Sequence, residues 1–203
     1  ISPDNLLFEI LNNVRLSDAK KSEQRVKLLM AIFATGKTES KKKLLDLVET
    51  KEQKHMRVDI LAAIDSVEDE NYFNLVTKIV LDAESNQEVA QVAMRYITNH
   101  LTTELWEEFK EMLRKSEITD ERYILIVNTL YEVSSTSITD DKGIKYPKWA
   151  DPNNEASIPL RTPLMDMLFI KPSDKISIDS KAEAFKEIMI KLRQYYNFKE
   201  FLL

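Results

Sequence analysis

Apolar residues along most of this chain fall at helical spacing, and the helical pattern itself repeats. In the segments Glu23–Ala34, His55–Val67, Asn86–Asn99 and Thr119–Val133, three columns of apolar side chains keep register. Leu28, Ile60, Ala93 and Ile126 form the first column, at steps of 32, 33 and 33 residues. Leu29, Leu61, Met94 and Val127 form the second; Ile32, Ile64, Ile97 and Leu130 form the third. Columns at i, i+1 and i+4 make one face of a helix. A second set lies between these segments: Leu44, Val76 and Phe109; Leu47, Ile79 and Met112; Val48, Val80 and Leu113. Columns in two alternating sets, all on one period, predict helical hairpins. A single hairpin leaves apolar surface in water, and stacking on its neighbours buries it.

Beyond the regular repeats of 22–134 the pattern changes. Residues 3–15 carry Leu6, Leu7, Ile10, Leu11 and Val14, a stripe one period before the first second-helix, and predict an N-terminal capping helix. Residues 135–158 hold Asp140, Asp141, Gly143, Pro147 and Pro152, which oppose a continuous helix and predict a long loop. Residues 159–203 resume as C-terminal capping helices, one near 162–170 and one over 179–196, followed by an apolar tail at 197–203. The connections fit this reading. Thr38 or Ser40 suits the start of the helix holding Leu44, Ser85 or Asn86 the start of the next first-helix, and Gly36 a helix C-terminus.

Taken with these columns, segments such as HMRVDILAAIDSV (55–67) and QEVAQVAMRYITNH (87–100) resemble the HEAT and armadillo-like superfamily of helical repeats, over roughly residues 20–135. The period also suits tetratricopeptide and ankyrin repeats, but the Trp–Leu-Gly–Tyr and Thr-Pro-Leu-His patterns of those families are missing. The resemblance implies an all-α fold, a right-handed α-α superhelix of about nine to ten helices forming one domain over 1–203. It also implies a protein that works by binding, with one row of helices lining a concave face.

Composition agrees with a folded helical chain. Hydrophobic residues are 43% and charged residues 31%, too apolar for a disordered segment, and only two glycines are present. Cysteine is absent, which removes disulfides, thiolate metal ligands and cysteine nucleophiles. No apolar run approaches the roughly 20 residues of a membrane span. A cytoplasmic location is the expectation, although a chain starting at Ile1 leaves N-terminal processing open. The net charge of −5 suits a basic or neutral protein partner better than a phosphate backbone.

Little in the chain points to catalysis. His55 and His100 lie in different repeats without metal-ligand spacing. Asp65, Glu68, Asp69 and Glu70 read as helix-end charge. The expectation is therefore a non-enzymatic interaction scaffold or adaptor without metal or cofactor, one version being an immunity or antitoxin-type inhibitor. The candidate partner-binding residues are Tyr146, Lys148 and Trp149 in the long loop, with Arg57 and Arg95 on first-helices. The alternative is nucleic-acid binding through the basic 37–57 region, where Lys37, Lys41, Lys42, Lys43, Lys51, Lys54 and Arg57 cluster. Against it, the column that starts Arg25 and Arg57 continues as Ala90 and Tyr123, so the basic stripe fades. The residues do not indicate an oligomeric state.

Overall fold

The computed structural model describes residues 19–35, 37–49, 54–67, 70–130, 132, 137–143, 145–151, 153–155, 157–159, 161–170 and 176–195. The proposed capping helix at 3–15, Gly36, Val133 and the tail at 197–203 lie outside these residues, as do the side chains of Leu164, Leu192 and Tyr195. Among the described residues the fold is all-helical with one very small sheet. The nine α-helices described are α1 (Ala19–Thr35), α2 (Thr38–Glu49), α3 (Lys54–Ser66), α4 (Phe73–Leu81), α5 (Gln87–His100), α6 (Thr103–Arg114), α7 (Asp120–Leu130), α8 (Arg161–Phe169) and α9 (Ile178–Tyr195). No helix among the described residues is long and apolar enough to cross a membrane.

The chain divides into two compact units, residues 1–72 and 73–203. In the first, α1 packs along α3, and α2 packs against both. Leu29, Ile32, Leu44, Val48, Ile60, Leu61 and Ile64 form its core. A short 3-10 turn at Glu70–Tyr72 closes the unit, setting Tyr72 edge-on to Phe33 with ring centroids 5.6 Å apart. Arg25 and Asp59 form a buried ion pair between α1 and α3, and the Ser22 hydroxyl donates to the other carboxylate oxygen of Asp59 at 2.5 Å. Arg57 is also buried, and its Nε donates to the Val48 carbonyl at the end of α2 (2.8 Å).

In the second unit α4 packs on α5 and α6, α5 on α7, and α7 on both α8 and α9. The apolar columns supply the interior here too: Val76, Val80, Ala93, Met94, Ile97, Phe109, Leu113, Ile126, Val127 and Leu130 are all buried. Side chains cap the helix starts where free backbone N–H groups need acceptors. Asn86 accepts from Glu88 N (3.0 Å), Thr102 from Leu105 N (3.3 Å), Thr119 from Arg122 N (3.2 Å) and Ser177 from Ser180 N (3.0 Å). At α2 the expected Thr38 or Ser40 cap gives way to a backbone solution: the Lys37 carbonyl accepts from Ser40 N and Lys41 N.

The far end of α4 is held by a distant residue. Arg122 on α7 donates to the carbonyls of Val80 (2.5 Å), Asp82 (3.1 Å) and Ser85 (2.8 Å), taking up acceptors that α4 leaves open. Val48 and Val80 occupy the same column, so in each unit an arginine takes the same carbonyl of a second-helix. The segment expected to be a plain loop has more structure than that. Ile138–Thr139 and Lys145–Tyr146 pair as a two-residue antiparallel hairpin, and a 3-10 turn at Lys148–Ala150 packs on α5. Gly143, at φ +77°, supplies the left-handed residue that closes the hairpin tip.

Candidate functional site

The sequence-nominated residues separate into committed and available groups. Arg57 (4% exposed) and Trp149 (4% exposed) lie inside their own units. Tyr146 is half-buried, with its hydroxyl 3.3 Å from Asp140 Oδ2. Lys148 is exposed. Arg95 is exposed on α5 and faces Glu132 at 3.8 Å, a solvent-screened pair of small energetic weight. Lys148 and Trp149 sit in the turn that packs on α5, the helix that carries Arg95. In the basic region Lys42 and Lys43 stand exposed on α2, and Lys43 pairs with Glu39.

A different surface of the second unit carries an open groove. A groove of about 430 Å³ runs across the first-helices α5 and α7 and the start of α9. From α5 come Gln87 and Gln91, one turn apart. From α7 come Asp120, Glu121, Ile124, Leu125, Asn128 and Thr129, and from α9 come Ser180 and Glu183. Leu125 and Thr129 are buried and form the floor, while Glu121 and Glu183 are exposed at the rim. Three carboxylates and three carboxamides line this groove, and no cationic side chain does.

The lining has a periodic origin. Gln87 and Asp120 are 33 residues apart, as are Gln91 and Ile124. These positions lie beside the apolar columns, three of the four are polar, and neighbouring first-helices set them side by side. This was the signal available in the sequence: positions that keep the repeat step yet avoid the core. Asp120 is fixed at one end. Its Oδ1 accepts from Ser177 N at 3.1 Å, and the hydrogen bonds from Ser177 hold its carboxyl below the usual carboxylate value. The group is thus an anion at neutral pH. The remaining polar groups offer hydrogen-bond donors and acceptors above the floor of Leu125 and Thr129.

Other titratable groups serve packing. Tyr123 donates its hydroxyl proton to the Met167 carbonyl (2.8 Å), and burial pushes its pKa up to about 12. Burial lowers the pKa of the Arg122 guanidinium, opposed by the Asp82 carboxylate. His100 ends α5, its ring 4.3 Å from that of Tyr96. Among the described residues, no three histidines or carboxylates gather in a metal-holding group. No family model, curated protein or solved structure matches this chain.

Proposed function

We propose that this chain is a non-catalytic protein-interaction module, built as a HEAT-like solenoid of stacked helical hairpins and acting in the cytoplasm. The groove across α5, α7 and α9 is its binding surface. The observation that carries this reading is the groove lining, in which carboxylates and carboxamides from three helices surround an apolar floor. The buried repeat columns support the hairpin part of the proposal, since they are the pattern that stacking requires. The charge of the lining favours a partner segment that is basic or neutral.

The test is capture from the native source, comparing the unaltered chain with a Glu121→Lys, Glu183→Lys double variant. Both sites are exposed, so the helical circular dichroism signal stays unchanged. The expected result is a protein partner retained by the unaltered chain and lost by the variant. Partners indifferent to the charge reversal, or retention of nucleic acid with steep salt dependence, overturn the reading.

A further inference from the structure

Three of the five large apolar side chains that stand exposed among the described residues are on α9: Ile178 (85%), Phe185 (49%) and Ile190 (45%). This helix has three distinct faces. Ala184 and Ile188 are buried and form the packed face. Ser180 and Glu183 line the groove. Ile178, Ala182, Phe185 and Met189 make a third stripe, with spacings of 4, 3 and 4. At about 100° per residue these four lie within roughly 60° of arc, the a/d pattern of a helix seam. Ala182 is exposed and Met189 half-buried.

The seam is complementary to itself. We infer that α9 pairs with α9 of a second copy of this chain, antiparallel across a two-fold axis passing between residues 183 and 184. In that register Ile178 lies opposite Met189 of the other copy, and Ala182 lies opposite Phe185. Each layer occurs twice, with the smallest side chain against the largest. The flank supports the same orientation. Asp179 and Lys186 are exposed on one edge of the seam, seven residues apart, and make no ion pair among the described residues. Antiparallel pairing sets Asp179 against Lys186 of the other copy, twice. Parallel pairing would bring Lys181 against Lys186, like charge on like charge.

The seam is about 17 Å long, which places the contact at the small end of stable interfaces and favours a reversible monomer–dimer equilibrium. The groove residues of α9 lie roughly 140–200° around the helix from Ile178, so pairing leaves the groove open. The inference is thus independent of what the groove binds.

Sedimentation velocity of the 203-residue chain, from about 1 to about 200 μM, tests it. The expected result is a monomer–dimer equilibrium. Phe185→Asp weakens it at least about 100-fold with unchanged helix content. Asp179→Lys and Lys186→Asp each weaken it about 3- to 10-fold, because each sets like charges together. An equimolar mixture of those two variants regains the unaltered strength, because opposite charges meet again on both flanks. A chain that stays monomeric throughout overturns the inference. So does a dimer indifferent to Phe185→Asp, or a mixture that fails to recover.

Discussion

Asp166 on α8 accepts the indole proton of Trp106 on α6 across 2.8 Å. The same Oδ2 accepts from Lys110 Nζ at 2.9 Å, and Lys110 also reaches Glu107 at 2.7 Å. The Trp106 ring stacks on Phe109 at 5.6 Å and is 1% exposed. One carboxylate thus accepts from two donors, and for the indole it is the acceptor that burial requires. Asp166→Ala is expected to cost about 1–3 kcal/mol, read as a lower urea midpoint, because the buried indole loses its acceptor and Lys110 keeps only Glu107. Asp166→Asn keeps an acceptor for the indole and is expected to cost about half as much. Equal losses for the two variants would show that the indole bond contributes little.

The Arg25–Asp59 pair sets a second expectation. Removing the carboxylate takes an ion-pair partner from a buried guanidinium, so Asp59→Leu is expected to destabilise the chain by about 3–5 kcal/mol. Replacing both partners with apolar residues, Arg25→Met with Asp59→Leu, removes the guanidinium together with the carboxylate and recovers most of that loss. Thermal unfolding of Arg25→Met, Asp59→Leu and the double variant closes the cycle. Additive losses would rule out the coupling.

Alkaline pH bears on Tyr123. Its pKa is raised to about 12 in the folded chain, against an ordinary value near 10. The protonated form is the one that the fold favours. Its contribution is therefore complete below about pH 10 and is lost as pH rises from there through about 12. Tyr123→Phe is expected to flatten this part of the stability curve. It should also cost about 1 kcal/mol at neutral pH, through the hydrogen bond lost to the Met167 carbonyl. An unchanged alkaline slope would exclude Tyr123 as its source.

Thr77 points the other way. It is 0% exposed on α4, and its hydroxyl has no hydrogen-bond partner. Thr77→Val keeps the shape and removes the unsatisfied group, so it is expected to stabilise the chain by about 1 kcal/mol. A lower melting temperature would instead reveal that the hydroxyl is satisfied.

The helices were legible because burial imposes a period. Of the twelve first-helix column positions, only Leu28 is less than fully buried, and the first-helices begin and end within a few residues of their sequence bounds. What the period does not encode is where long polar side chains go. Arg25, Arg57 and Trp149 look like surface contacts in one dimension, yet all three are buried. Their partners (Asp59, the Val48 carbonyl, the packing beside α5) come from other elements. The short hairpin at 138–146 stayed hidden because two-residue strands leave no alternation to detect. The groove was half-visible: Gln87 with Asp120 and Gln91 with Ile124 keep the repeat step, but only the packing of α9 brings Ser180 and Glu183 to them.

The grip of Arg122 on the carbonyls after α4 also imposes an order of events on synthesis. The acceptors from Val80 to Ser85 leave the ribosome some 40 residues before the guanidinium that will hold them. At about 5–20 residues per second they wait roughly 2–8 seconds without that guanidinium. During that interval the end of α4 is a frayed terminus, and the second unit closes only when α7 emerges. Nascent chains arrested before residue 122 are thus expected to remain protease-sensitive around 79–86, and chains arrested well beyond α7 to be protected there.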